Sequence, residues 1–229
     1  MKIKIKNEEN IAIIKIEGKD KLATKNLVRG NKVYGEKLIE VNNVEYRIWD
    51  PFRSKLASAI IKGLNRIPIN IGSKVLYLGV STGTTASHIS DIIDSQGILF
   101  GVEIAPRVAR EFVEKVARIR SNIVPILSDA SKFERYDSIY GKVNLVYCDI
   151  SHPRQTEIAI QNSKYYLESD GTLLLCIKAR SIDVTKDPEQ VFKEEIKKIE
   201  KLDFKISQII KLEPYDKDHV MIVASFNEQ

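Results

Sequence analysis

The residues best suited to chemistry stand in and just after one short turn. In "VLYLGVSTGTTASHISDII", residues 75–93, an apolar run ends at Gly79, Gly83 follows, and an amphipathic segment begins at once. A strand passes to a helix in this way around a nucleotide-like ligand. Glycine lets backbone approach a ligand closely, and Ser81, Thr82, Thr84 and Thr85 place hydroxyls near a helix N-terminus. A phosphate loop is excluded, because its lysine position after the second glycine is Thr84 here. The dinucleotide fingerprint is incomplete, since two glycines stand where three are required.

Acids then recur at the ends of successive apolar runs. Glu103 ends "ILFGVE", 20 residues after Gly83, where one carboxylate can accept from both ribose hydroxyls of an adenosine ligand. Asp129 in "PILSDAS" suits the adenine amine, and Ala130 leaves room beside the ring. Asp149 in "VYCDISHP" can face an ammonium group or a reacting centre. Polar groups at four consecutive strand ends favour S-adenosyl-L-methionine. A nicotinamide dinucleotide stays open on spacing alone.

Two kinds of element must position these residues. Residues 1–50 carry short β-like runs, "IKIK", "IAIIKI", "KLIEV" and "VEYRIW", divided by Gly18, Gly30-Asn31 and Asn42-Asn43. This pattern predicts a small antiparallel β-rich domain. At "WDPFRSKLASAIIKGLN" the period changes: Asp50 can cap, Pro51 suits a first helical position, and Phe52, Leu56 and Ile60 recur every four residues. From 51 to 229 strand-like runs (75–78, 98–102, 123–127, 143–148, 172–177) alternate with helix-like segments near 85–93, 106–120, 131–139 and 153–167. A helix over 188–202 precedes two β runs, 204–212 and 219–226. The expected fold class is α/β, a Rossmann-like methyltransferase domain whose mostly parallel seven-stranded sheet ends in an antiparallel pair.

The 229 residues, 43% hydrophobic and 29% charged, carry a net charge of +5. This is ordinary globular composition with a mild basic excess, which permits contact with nucleic acid. No apolar run has the length of a signal peptide or membrane span, so a cytoplasmic chain without membrane partners is expected. Cys148 and Cys176 sit inside apolar runs and read as buried thiols, and no cysteine–histidine spacing suggests a metal site. His88, His152, Tyr165 and Tyr166 are expected to be structural.

Together "RIWDPFRSKLASAI", "VLYLGVSTGTTASHISDI", "CDISHPRQ", "CIKARSID" and "LEPYDKDHVMIV" resemble the fibrillarin family over nearly the whole chain. Without a Gly/Arg-rich extension, the resemblance is to the archaeal form. It implies the catalytic subunit of a box C/D ribonucleoprotein that 2′-O-methylates rRNA, or alternatively tRNA. A Nop-domain scaffold protein, a kink-turn-binding ribosomal-type protein, a guide RNA and a substrate RNA are the implied partners. S-adenosyl-L-methionine contacts are implied at Gly79, Ser81, Gly83, Thr84, Thr85, Glu103, Ile104, Asp129, Ala130, Asp149 and Gln155. The family's Lys-Asp-Lys-His set falls on Lys55, Asp149, Lys178 and His219. Two departures stand out: Ser81-Thr82 replaces a smaller pair, and Arg154 in "HPRQ" replaces an acid.

Methylation of a ribose hydroxyl needs collinear reactants at about 3–3.5 Å and a route for the hydroxyl proton. A lysine can accept that proton only if a neighbouring cation or burial lowers its pKa. Lys178 is expected to guide or accept the proton, with Lys55 and His219 orienting the ribose and Asp149 holding lysines and cofactor. The other readings are a methyltransferase acting on protein and an inactive cofactor-binding assembly subunit.

Overall fold

Short apolar runs between glycine and asparagine turns become five strands ahead of the first helix. The computed structural model describes residues 3–5, 10–136 and 138–226. Lys6 of "IKIK", Asp137 within 131–139 and the outermost ends of both expected parts lie outside the described residues. Strands β1 (Ile3–Ile5), β2 (Ile11–Ile16), β3 (Lys19–Lys25), β4 (Leu38–Val41) and β5 (Val44–Ile48) form an antiparallel sheet in the order β1-β2-β3-β5-β4. Asn42 and Asn43 both adopt positive φ, the conformation that a two-residue hairpin turn between β4 and β5 requires. Strand β3 is absent from the pattern reading for a physical reason. Its first three residues are exposed and its next three buried, so the alternation that marks a strand is missing.

The change of grammar occurs at residue 50. Asp50 Oδ1 accepts from Phe52 N–H at 2.9 Å and caps one 3₁₀ turn, Pro51–Arg53. Ser54 then caps α1 (Lys55–Ile61), its Oγ accepting from Ala57 N–H. The helix therefore begins one turn later than Pro51, so Leu56 and Ile60 are buried while Phe52 stays exposed.

The second sheet contains β6 (Lys74–Leu78), β7 (Ile98–Glu103), β8 (Ile123–Leu127), β9 (Val143–Cys148), β10 (Leu167–Lys178), β11 (Phe204–Lys211) and β12 (His219–Phe226). Their order is β11-β12-β10-β9-β6-β7-β8, with β12 antiparallel to both neighbours. Helices α2 (Thr84–Ile93), α3 (Pro106–Lys115), α4 (Gln155–Tyr166), α5 (Ala179–Ile182) and α6 (Pro188–Lys201) complete the fold. Among its described residues, the segment 131–139 holds only a 3₁₀ turn, Phe133–Arg135.

Strand alternation divides the core between two faces. Val75, Tyr77, Leu145, Tyr147 and Cys176 pack toward Leu56 and Ile60 of α1, Ile89 and Ile93 of α2 and Phe112 of α3. Leu76, Leu78, Val146, Cys148 and Leu175 pack toward Ile158 of α4 and Val191 and Ile199 of α6. Ile11, Leu22 and Trp49 join the first of these clusters, so the small sheet shares a core with the large one. Both cysteines are buried and free, and Tyr166 is buried beside a half-exposed Tyr165. Among the described residues no helix is long and apolar enough to cross a membrane.

A buried ionic cluster fastens the two sheets together. Asp91 of α2 pairs with Arg47 of β5 at 2.8 Å and with Arg120 at 2.6 Å, and all three side chains are fully buried. Arg47 also meets Glu36 at 2.6 Å. Next to them His88 stacks on Trp49 with ring centroids 4.7 Å apart, its nitrogens 2.7 Å from Thr24 Oγ1 and 2.8 Å from Tyr34 OH.

Asp91→Ala leaves the buried Arg120 without its carboxylate and Arg47 with Glu36 alone, and is expected to destabilise the chain by roughly 3–5 kcal/mol in urea unfolding. His88 adds a pH dependence. Burial, then Arg47 and Arg120, push its imidazole well below the usual range. The unfolded chain takes up a proton below about pH 6.5, and the folded ring does not. The stability His88 confers is complete above that pH and falls as pH drops toward the depressed folded value. Urea midpoints measured from pH 7 to pH 5 should fall, and fall less in His88→Gln.

Candidate active site

Strand β6 delivers its last residue to the edge of the sheet, and the chain then bends sharply. Gly79 N–H and Val80 N–H both donate to Val102 O, at 2.9 and 3.1 Å, holding the turn against β7. Gly79 has φ +82°, and an added Cβ would stand 3.0 Å from Ile150 Cγ2 and 3.1 Å from Asp149 O. Ser81 itself holds a positive φ of 52°, an uncommon conformation stabilised by the bond from its N–H to Glu103 Oε2 at 3.0 Å. Gly83 has another role. At φ +94° its missing Cβ would lie 2.6 Å from Phe112 Cδ2, so this glycine lets α2 pack on α3.

Beyond the turn lies a cleft of about 380 Å³, lined by Gly79, Ser81, Glu103, Ile104, Asp129, Ala130, Asp149 and Lys178 among others. Both Glu103 oxygens take one backbone N–H each, from Ser81 and Ala105, which aims the carboxylate and leaves lone pairs for hydroxyls. Asp129 Oδ1 accepts from Ser131 N–H and Oγ–H, both at 2.8 Å. These bonds hold its carboxyl below the usual carboxylate range and leave Oδ2 without a partner among the described residues. Asp149 Oδ1 is buried and ion-paired yet accepts no aligned hydrogen bond. Three carboxylates thus face one ammonium across the cleft. Such a lining suits a cationic ligand rich in hydroxyl and amine donors and repels a pyrophosphate.

The lysines gather at one end. Lys178 Nζ lies 2.8 Å from Asp149 Oδ1, 2.8 Å from Asp149 O and 3.1 Å from Ser151 Oγ. Lys55 Nζ stands 3.3 Å from Asp149 Oδ1 and 3.3 Å from Asp216 Oδ2. Burial pulls the Lys55 ammonium down, but Asp149 and then Asp216 outweigh it, and its pKa is raised. His219 Nδ1 lies 3.0 Å from Asp216 Oδ1, and the register of β10 with β12 sets His219 directly opposite Lys178. Five side chains therefore form one alternating line: Lys178, Asp149, Lys55, Asp216, His219.

Other expected residues stand behind this surface. Thr85 is buried and donates to Ser54 Oγ at 2.9 Å, tying the start of α2 to the cap of the Lys55 helix. Thr84 faces a separate hollow with Tyr34 and Arg53. Gln155, also buried, accepts from Lys178 N–H at 3.1 Å and so fixes the end of β10. Gly83, Thr84, Thr85 and Gln155 are not among the residues lining the cleft. The pattern reading missed Asp216 and Ser151. Asp216 had a signal, the D-x-x-H spacing of "DKDH" in a polar turn, whereas Ser151 had none. His152, expected to be structural, lines the cleft.

The fibrillarin family model matches residues 3–228. The chain belongs to the fibrillarin family. A fibrillarin-like rRNA/tRNA 2′-O-methyltransferase of Saccharolobus islandicus is 51% identical over 225 residues, which are 98% of this chain and 97% of that protein. Among solved structures, Aeropyrum pernix fibrillarin with natively bound S-adenosyl-L-methionine superposes with a TM-score of 0.90 at 43% identity. That match covers 98% of each chain. Fibrillarin from a fibrillarin/Nop5p complex gives a TM-score of 0.85 at 40% identity, over 95% of this chain and 98% of that one. The fold of this fibrillarin is that of a S-adenosyl-L-methionine-dependent methyltransferase, with its mostly parallel seven-stranded sheet and the smaller antiparallel one beside it.

Gly83→Ala puts a methyl group into Phe112 and Val116 from a left-handed backbone position. It is expected to cost about 1–3 kcal/mol in urea unfolding, by overpacking α2 against α3.

Proposed function

We propose that this chain is a S-adenosyl-L-methionine-dependent RNA 2′-O-ribose methyltransferase, the catalytic subunit of a box C/D guide-RNA ribonucleoprotein acting on rRNA and tRNA. The observation that carries this reading is the alternating line of Lys178, Asp149, Lys55, Asp216 and His219 beside a carboxylate-rich cleft. The relative named as an rRNA/tRNA 2′-O-methyltransferase supports the substrate class. The Nop5p complex of another relative supports a Nop-domain scaffold as partner. A kink-turn-binding ribosomal-type protein and a guide RNA complete the proposed assembly. The chain divides in this reading into a β-rich part, 1–50, and a methyltransferase part, 51–229.

The residues present fit the proposed donor. Gly79 lines the cleft with backbone alone, Asp129 Oδ2 has no partner among the described residues, and the carboxylates complement a cation. Glu103 would take the ribose hydroxyls, Asp129 with Ala130 and Ile104 the adenine, and Asp149 the amino-acid end with Gly79 and Ser81. Gly83, Thr84, Thr85 and Gln155 would support that wall from behind. When bound, the group supplies a methyl on a positively charged sulfur, which departs as a neutral thioether.

The chain's own residues supply the rest. Lys55, held as an ammonium by two carboxylates, can donate to oxygens of the target ribose. Lys178 presents a second fixed positive charge beside the same carboxylate, guiding the hydroxyl and steadying charge that develops on its oxygen. Asp149 keeps the two ammonium groups together, which in its absence would repel each other at close range.

Reconstitution with scaffold protein, kink-turn protein, guide RNA and labelled donor is expected to methylate one guide-selected ribose. In that system Lys178→Ala should abolish transfer while leaving donor affinity nearly unchanged. Glu103→Ala should weaken donor binding by about 10- to 100-fold in calorimetry, since it removes hydrogen bonds to a charged group. Donor binding without any transfer in the full assembly would overturn the enzymatic reading.

A further inference from the structure

The ribose hydroxyl must lose a proton, and the geometry around Lys178 bears on where that proton goes. Three acceptor oxygens already surround Lys178 Nζ, at 2.8, 2.8 and 3.1 Å. The ammonium donates to Asp149 O and Ser151 Oγ and ion-pairs with Asp149 Oδ1, and it has no lone pair to offer. Lys55 is held between two carboxylates, which favour its charged form. Neither lysine is arranged as a proton acceptor.

His219 is arranged as one. Its Nδ1 faces two acceptors, Asp216 Oδ1 at 3.0 Å and Lys217 O at 2.5 Å. Neither oxygen can donate when Asp216 is ionised, so Nδ1 must carry the proton, and the neutral ring then holds its lone pair at Nε2. Nε2 has no partner among the described residues. The second Asp216 oxygen binds Lys55, which fixes the carboxylate from the other side. The cross-strand register sets the His219 Cβ beside that of Lys178, at the end of the sheet where the cleft opens.

We propose that Asp216 and His219 form a proton-accepting dyad, in which Asp216 fixes the Nδ1–H form of His219 and Nε2 takes the proton of the target hydroxyl. His219 is the catalytic residue of the pair, and Asp216 is a positioning residue that acts through it. This assignment rests on the methyltransferase reading above. Atoms and charge balance: the hydroxyl proton passes to Nε2 while the oxygen gains the methyl, and the carbon–sulfur bonding pair stays on sulfur. The positive charge lost at sulfur reappears on the imidazolium, beside the Asp216 carboxylate.

The charged and titratable groups around the imidazole are Asp216, Lys217 and Asp218 in its own turn, Lys178 on β10, Lys55 on α1 and Asp149 at the end of β9. Arg180 of α5 adds one more, pairing with Asp218 at 3.1 Å. Asp216 is the group in direct contact with Nδ1 whose charge favours a protonated ring. Replacing it with a neutral amide therefore makes the ring easier to deprotonate, and a reaction that needs the neutral ring persists to lower pH.

The test has two arms. Nitrogen-resolved NMR of the chain without donor reads the protonation of each His219 nitrogen, and the neutral ring is expected to carry its proton at Nδ1. Single-turnover methylation by the reconstituted complex is then followed against pH. His219→Ala and His219→Gln are expected to lower the rate by about 100-fold or more, the usual contribution of general-base catalysis. D216N should move the acidic limb of the rate profile to lower pH, and D216E should restore it. A neutral ring protonated at Nε2, or a limb that D216N leaves in place, overturns the dyad alone. No RNA methylation by the wild-type complex overturns the function beneath it, and the dyad with it.

Discussion

A single buried carboxylate holds this fold in the shape its site requires. Asp91 is fully buried, and it reaches Arg47 from the small sheet and Arg120 from the loop that leads into β8. Removing such charges from water is costly, and the mutual attraction compensates only when geometry and hydrogen bonding are good. Here the partners supply both, since Arg47 also binds Glu36 and Ser87 Oγ, and Thr24 donates to Asp91 Oδ2. The helix carrying Asp91 is the one that follows the glycine turn. The chain leaving β5 passes through Trp49 into the helix that carries Lys55. One cluster thus ties the helix behind the glycine turn to the segment that leads into the helix of Lys55, 24 residues before Gly79.

The site repeats the same logic nearer to solvent. Positive and negative side chains alternate from Lys178 through Asp149 and Lys55 to Asp216, which also meets His219, so Asp149, Lys55 and Asp216 are each held from two sides. In such a line no group is free to reorient alone. The hydrogen bond from Thr85 to Ser54 extends this rigidity to the turn, because it joins the first turn of α2 to the cap of α1. Preorganisation of this kind lowers the cost of bringing a hydroxyl, a cation and a lone pair into line.

Much of the cleft lining was legible in the residues, because its signals are local. Gly79, Glu103, Asp129 and Asp149 each follow an apolar run, and period alone places them at strand ends. The alternation of strand and helix was legible for the same reason, and the resemblance to the family supplied Lys55, Lys178 and His219. What stayed hidden depends on distant pairing. In sequence Arg47, Asp91 and Arg120 look like any solvated charges, since nothing nearby reveals that all three are buried against each other. Strand β3 was hidden by its three exposed residues, and the 3₁₀ turn at Phe133–Arg135 imitated a longer helix. The partners of Thr84 and Thr85 were equally hidden: Thr85 bonds to Ser54, 31 residues earlier, and Thr84 lines a hollow with Tyr34 and Arg53.

Strand β12 runs against its neighbours, and that reversal has a topological consequence. Six strands of the large sheet bring their final residues to the ligand edge, but β12 brings its first. The turn from 212 to 218 therefore lies on the working rim although it belongs to a hairpin. Its composition is tied to the site, because it carries Asp216, which meets both Lys55 and His219, and it starts from the buried Leu212. One reversed strand thus lets a single hairpin both close the large sheet and bring an acid and an imidazole to the rim where the other strands end.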